Sequence, residues 1–288
     1  MTSDGRRVEY IRGGMVQAPS DTLFLNNWAS IAKENNEILH HPKLDQTSLF
    51  PPKEVSSYIP ATGSAIHKVV SKRFVFDSSN IAALRAKSSN KSCVEHPTRV
   101  EAVSALIWRC AMNVVRMRPV SANLISVAQL AVNLRGRMLP PLSNLFFGNL
   151  MISTVATSTT DSTPELHCLV GQLRDAIKKI DSDYVRKLQA DDELSMFFNS
   201  LKDLNEQYAK GELEFYTFSS WCRFPFYEAD FGWGKPIWIS TNNTVSKNVI
   251  MFMDTKCGKG VEAWVALNEE DMARFECEPE LIAFTKMA

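Results

Sequence analysis

The sequence predicts an α+β fold in which mixed sheets are flanked by helices. Apolar residues recur at three- and four-residue spacing over 100–114 and 164–189, the signature of one buried helix face. Short stretches rich in β-branched and aromatic residues, bounded by turn formers, read as strands. Helices and strands follow one another without a regular βαβ repeat, which argues against a purely parallel sheet. The 288 residues leave room for two domains and a sizeable core.

Residues 1–17 are polar, carry Gly and Arg and show no period, as in a loose end. A helix is expected over 21–37, capped by Ser20 or Asp21 and striped by Leu23, Phe24, Trp28 and Ile31 or Ala32. Pro42, Pro51, Pro52, Pro60 and Gly63 make 40–62 a connector. A strand over 67–77 leads into a short helix over 78–87. Pro97 suits the first turn of the next helix, where Val100, Val103, Ile107, Ala111 and Val114 share a face.

Strands are expected over 126–134 and 150–157, separated by a turn-rich stretch. One long helix is expected over 164–189, striped by Leu166, Leu169, Leu173, Ile177, Ile180, Tyr184 and Leu188, and a second over 192–209. Strands around 215–221, 236–240, 247–253 and 261–267 precede a final helix over 269–284.

Composition narrows the function. Lys+Arg and Asp+Glu each number 32, so the net charge is zero and no partnership with nucleic acid or an anionic membrane surface is expected. No window approaches the ~18 apolar residues of a membrane span. The opening MTSDGRRVEYIRGG has no apolar core and does not read as a signal peptide. Six scattered cysteines, none in Cys-x-x-Cys spacing, suggest reduced and mostly buried thiols in a cytoplasmic protein, with no metal site. The glycosylation triplets at Asn90 and Asn242 are read as chance.

Candidate chemistry gathers in few places. The stretch 219–236, SSWCRFPFYEADFGWGKP, is the most specific. Asp230, Phe231, Gly232, Trp233 and Gly234 make a tight turn whose rings can lock into a core and whose acid can accept charge-assisted hydrogen bonds. A structural turn is favoured over a catalytic Asp230. Arg135 and Arg137 flank another turn and could meet a phosphate or carboxylate, although a structural use is favoured. Gly258, Lys259 and Gly260 read as a strand-to-strand turn, not a phosphate loop. A nucleophile elbow for a Ser or Cys hydrolase is missing from the sequence.

The stretch 219–236 resembles the plant BAHD acyl-CoA-dependent acyltransferases, whose signature is Asp-Phe-Gly-Trp-Gly. Residues 96–108, 133–149 and 250–267 look like family segments in family order, and 24–32 and 45–52 fit as well. The resemblance runs from about residue 18 to 288, and SWCRFPFYEADFGWGKP points to the vinorine synthase-like subgroup. It implies a chloramphenicol acetyltransferase-like fold of two domains around a channel. Acyl-CoA enters as co-substrate at one mouth, with no bound cofactor, and an alcohol acceptor at the other. Residues 1–60 are then a remnant of an incomplete first domain and the start of the connector, and 61–288 the crossover and second domain. The full-length family implies a monomer.

Ser219, Ser220, Trp221 and Arg223 match the family stretch bordering the channel, although a plain strand with an exposed Arg fits them equally. The Asp230 carboxylate is expected to pair with Arg135, away from the channel. The family's base motif is His-x-x-x-Asp-Gly, whose His deprotonates the acceptor. Counted back from Trp28, its acid falls on Gln17 and its histidine on Gly13, so no catalytic residue is assigned and the chain looks N-terminally truncated. His41 and Asp45 satisfy the spacing, but Pro42 intervenes, no Gly follows, and the pair belongs to the connector. His40, His67, His96 and His167 lack an acid at that spacing. An O-acyltransferase of plant specialised metabolism and a catalytically inactive fragment are thus both carried forward.

Overall fold

The computed structural model describes residues 18–34, 40–51, 68–118, 124–159, 163–190, 203–204, 206–241 and 246–287. Gly13, Gln17, His67, the connector 52–62, most of the expected 192–209 helix and the Asn242 triplet lie outside the described residues. In chain order the elements are α1 (Ala18–Ala32), α2 (Gln46–Leu49), β1 (Val69–Phe76), α3 (Ser78–Lys87), α4 (Arg99–Arg116), β2 (Ile125–Asn133), β3 (Met151–Thr159), α5 (Leu166–Lys178) and α6 (Ser182–Gln189). They continue with β4 (Leu213–Ser220), β5 (Val249–Asp254), β6 (Val261–Asn268), α7 (Glu269–Phe275), α8 (Pro279–Phe284) and β7 (Lys286–Met287).

Among the described residues these strands form one mixed sheet in the order β3-β2-β4-β5-β6-β1-β7. The β2–β4 and β4–β5 pairs are parallel, with Ile125 opposite Leu213 and Thr217 opposite Val249. The other pairs are antiparallel, with Val69 opposite Asn268 and Asn133 opposite Met151. The mixed α+β class expected from the sequence is what the chain adopts.

Helix α4 organises the core. Thr98 caps it with a reciprocal Glu101 contact, a capping box that satisfies two orphan N–H groups. Its apolar residues then face a helical layer on both sides and the sheet beneath, so Leu106, Ile107, Trp108 and Cys110 are all fully buried. The Trp108 indole N–H donates to Ser126 Oγ at 2.8 Å, which removes the cost of burying it. Alternation along β4 places Tyr216 and Phe218 under this layer, while Phe215, Thr217 and Ser219 point to the opposite, more open face.

Several boundaries differ from expectation for local physical reasons. Helix α1 begins before Ser20 and ends at Ala32; the Ser20 hydroxyl accepts from Gly148 N–H at 2.9 Å rather than capping the helix. Pro97 stands outside α4, with Thr98 as the cap. The single helix over 164–189 is two, because Asp181 adopts extended backbone and caps α6 through Tyr184 N–H. The final helix is likewise broken ahead of Pro279. No strand forms over 236–240, where Trp238 instead lies across β1 and β6.

The thiols also depart from expectation. Cys93, Cys168, Cys257 and Cys277 are exposed and only Cys110 is buried, because most of the cysteines sit in turns or first helical turns.

Candidate functional site

The turn 230–234 is anchored on α1. Asp230 Oδ1 accepts from Gly232 N–H at 3.0 Å and Gly234 N–H at 2.9 Å, so one oxygen closes the turn. Both glycines hold φ near +105°, at +106° and +104°, which an L side chain resists. The other carboxylate oxygen meets Lys33 Nζ at 2.8 Å, just past the end of α1. Lys33 and these N–H groups hold the Asp230 carboxyl down at about 2.

The aromatic residues of the turn complete the docking. Phe231 packs edge-on to Trp28 at 5.1 Å between ring centroids and stacks with Trp233 at 5.6 Å. Ala29, Ala229 and Phe231 form a small buried cluster with Leu25 against it. Asn26 Nδ2 also donates to Pro225 O at 3.2 Å. The signature therefore works as a clasp on α1.

The expected pairing of Asp230 with Arg135 is not made. Arg135 is 1% exposed and donates to Phe146 O at 2.6 Å and Gly148 O at 2.9 Å. It also reaches Ser20 Oγ at 3.4 Å. Its guanidinium thus ties the 144–148 turn to the start of α1, and burial lowers its pKa from the usual value. Both residues hold α1, at opposite ends, which explains why they do not meet. Arg137 donates to Ile180 O and is committed to structure rather than to a phosphate.

The channel candidates lie where β4 ends. Ser219 points to the open face and Ser220 Oγ accepts from Cys222 N–H at 3.4 Å. Trp221 N–H donates to Phe252 O at 2.8 Å, and its ring stacks on Phe226 at 5.2 Å. Arg223 holds φ +69 and its N–H donates to Asp254 Oδ2 at 2.6 Å, leaving its side chain exposed. Arg99 reaches the other oxygen of Asp254 at 3.0 Å, so Asp254 joins α4, β5 and the 221–224 bend. Sequence reasoning missed Asp254, Arg99 and Lys33, since nothing local marks them among the many polar residues, and it gave Ser20 the role of a helix cap.

Two surfaces adjoin these residues. On the open face, Trp238 covers Arg73 at 5.0 Å and packs against Trp264 at 5.7 Å, while Glu262 accepts from Arg73 and from the Trp238 indole. Along α1, an open apolar groove of about 260 Å³ is lined by Leu23, Phe24, Asn27, Trp28, Ile31, Pro42 and Phe147.

The described histidines form no acid–base pair. His41 is exposed in the extended segment that bridges Lys43 to Phe146, and His96 offers its carbonyl to Arg174. Among the described residues no group of His, Cys, Asp and Glu is placed to hold a metal ion. Burial pushes the Cys222 thiol up to about 11, so it is not a thiolate nucleophile at neutral pH. None of the described helices is long and apolar enough to cross a membrane.

A profile of the Transferase family matches residues 14–282. Limonoid 1-O-acetyltransferase of Citrus sinensis is 37% identical over 276 residues, which cover 92% of this chain and 62% of that protein. Stemmadenine O-acetyltransferase of Catharanthus roseus is 35% identical over 264 residues, covering 90% of this chain and 58% of its own. The crystal structure of vinorine synthase superposes with a TM-score of 0.75 at 32% identity, over 95% of this chain and 61% of that one. F. sporotrichioides TRI101, complexed with coenzyme A and T-2, shares the fold with a TM-score of 0.73 at 21% identity, over 94% of this chain and 65% of its own. The chain spans about three fifths of the length of the curated relatives it matches.

Proposed function

The chain belongs to the Transferase family, the BAHD acyltransferases of the sequence resemblance, and from that membership we propose that its chemistry is O-acyl transfer. The donor is an acyl-CoA thioester, with acetyl the favoured group because the relatives named above are O-acetyltransferases. The acceptor is a hydroxyl of a plant specialised metabolite. The observation that carries this reading is the convergence of the 219–223 segment, the Asp230 turn and α1 at one end of the sheet, tied by Asn26 and Lys33. In this reading residues 61–288 supply the second domain and one wall of the channel. Ser219, Ser220, Trp221 and Arg223 border that wall, and residues 1–60 belong to the first domain. The protein works as a cytoplasmic monomer without a bound cofactor.

Transfer requires the acceptor oxygen to lose its proton as it attacks the thioester carbonyl, and the CoA sulfur to leave. A general base contributes about 10²–10⁴-fold to such a step. Gly13 and Gln17 stand where the base motif is expected; Gly13 has no side chain and the Gln17 amide is not basic enough to take the proton. This supports a second reading, in which the 288 residues alone are catalytically inactive.

The two readings separate in one assay. The purified chain is incubated with acetyl-CoA and a panel of alcohols, and free CoA is followed. Background release by the chain alone, with acceptor-dependent release once a segment bearing His-x-x-x-Asp-Gly is joined ahead of it, is the expected result. Failure of the extended protein with every acyl-CoA and acceptor would overturn the acyl-transfer reading.

A further inference from the structure

Two exposed cysteines, Cys93 and Cys168, lie on neighbouring elements. Cys93 sits in the tight turn between α3 and α4, closed by Asn90 N–H on Val94 O at 2.9 Å and Cys93 N–H on Asn90 O at 3.2 Å. Cys168 lies in the first turn of α5, also exposed. Gly171 is one turn further along the same helix face. A methyl group built there would lie 4.0 Å from the Cys93 Cβ, so the Cys93 side chain rests along the stripe that carries Cys168. The lack of a side chain at Gly171 leaves this approach open. Burial, then the adjacent Cys93 thiol and the Glu165 carboxylate, raise the Cys168 thiol from its ordinary range.

We propose that Cys93 and Cys168 form a reversible disulfide that staples the α3–α4 connection to α5. A disulfide needs its Cβ atoms about 3.5–4.5 Å apart, a separation that the exposed turn carrying Cys93 would have to supply. The oxidant is a low-molecular-weight disulfide such as oxidised glutathione. One protein thiolate attacks a sulfur of that disulfide, breaks its S–S bond and releases one small thiol. The second protein thiolate then attacks the mixed disulfide and displaces the other small thiol. Two protein thiols lose two protons and two electrons, and one small disulfide becomes two thiols.

The staple would reinforce a joint that already exists. Arg174 of α5 grips Glu101 at 2.8 Å and the His96 carbonyl at 2.9 Å, holding α5 to the cap of α4. That grip is an ion pair near the surface, and salt weakens it. A covalent link beside it would not be screened, and would also restrict the unfolded chain.

The test uses the full chain, fully reduced and then equilibrated with oxidised glutathione. Thiols are counted after denaturation, and peptides are mapped without reduction. The expected result is the loss of two thiols, a linked peptide pair containing Cys93 and Cys168, and a melting temperature higher by several degrees that dithiothreitol reverses. Cys93→Ser and Cys168→Ser should each abolish the linkage and the shift, whereas Cys257→Ser should leave both. Arg174→Ala should lower the melting temperature of the reduced protein more than that of the oxidised one. Glutathione adducts on Cys93 or Cys168 without a linked pair, or linkage to another cysteine, would overturn the proposal.

Discussion

Asp230 and Lys33 meet at 2.8 Å although 197 residues separate them. The contact joins a glycine turn after β4 to the end of α1, and it gives the Asp-Phe-Gly-Trp-Gly signature a physical task. The carboxylate spends one oxygen on closing the turn and the other on fixing the helix. It is an anchor and has no proton to move at neutral pH, since its pKa is held at about 2.

The glycines of that turn should be as sensitive as the acid. Gly232 and Gly234 hold φ +106 and +104. A side chain at Gly234 would meet nothing within 4 Å, and one at Gly232 would make only ordinary contact with Lys33. Backbone strain alone should therefore destabilise Gly232→Ala and Gly234→Ala, by about 1–3 kcal/mol each in urea denaturation. Asp230→Ala should also lower stability, more than Lys33→Met, because it loses the turn closure as well as the ion pair. Unchanged midpoints for both glycine variants would show that the turn does not hold α1.

Arg135 should tolerate no replacement well. Its guanidinium serves the carbonyls of Phe146 and Gly148 from a nearly solvent-free position. Arg135→Met would leave these acceptors without their donor, at about 1–3 kcal/mol for each buried group left unsatisfied. Arg135→Lys keeps the charge but cannot reproduce the planar fork, so it should recover only part of the loss. Chemical denaturation of the three proteins, ranked Arg, Lys, Met in falling stability, checks this.

The sequence made the class, the core helix α4 and most strands legible, because their apolar periodicity is local. Strands β1 to β6 fall within a few residues of expectation, and α3 coincides with it. Where one backbone residue decides, the pattern misleads. Leu173 and Leu188 share a stripe across 164–189, yet Asp181 turns out of the helix to cap α6. The segment 236–240 has strand composition, but the turn at Gly234 sends it over the sheet, where Trp238 finds Arg73 and Trp264.

Site partners were the least legible part. Arg135 and Asp230 both lie in family-like segments, and opposite charge suggested a pair. Each instead found another group, Arg135 the Ser20 hydroxyl at the start of α1 and Asp230 the Lys33 amine just past its end, and no spacing rule links residues so far apart in the chain. Family resemblance located the signature; only the fold identified the helix that it holds.

Asp21 gives stability a pH dependence of definite sign. Burial raises its carboxyl to about 6, above the ordinary 3.8 that an unfolded chain would show. The folded state therefore binds the proton more tightly, and this contribution is fully present below about 3.8 and lost as pH rises through about 6. Asp21→Asn should melt higher than the parent at pH 8, and the difference should vanish by pH 4. Asp230 and Asp77, both held at about 2, act in the opposite direction, since their stabilisation is lost as pH falls from about 4 through 2. An Asp21→Asn difference that grows toward acid would overturn this assignment.

The outer face of α1 predicts how the isolated chain behaves in solution. Phe24, Trp28 and Ile31 are 53%, 42% and 55% exposed, and they line one groove with Pro42 and Phe147. Contiguous apolar surface of this kind favours association and binds hydrophobic dyes. The purified chain should therefore bind such a dye in its native state and precipitate readily on concentration. Ile31→Gln should weaken both, with thermal stability within about 0.5 kcal/mol of the parent, as for other surface changes. Trp28→Ser should behave differently, since the Trp28 ring rests on Phe231 at 5.1 Å. Its removal should suppress dye binding and also cost about 0.5–1.5 kcal/mol beyond the buried area, the worth of an aromatic pair. A sharply melting monomer that binds no dye would mean that the groove is covered in solution. Equal stability loss for the two variants would mean that Ile31 is packed rather than exposed.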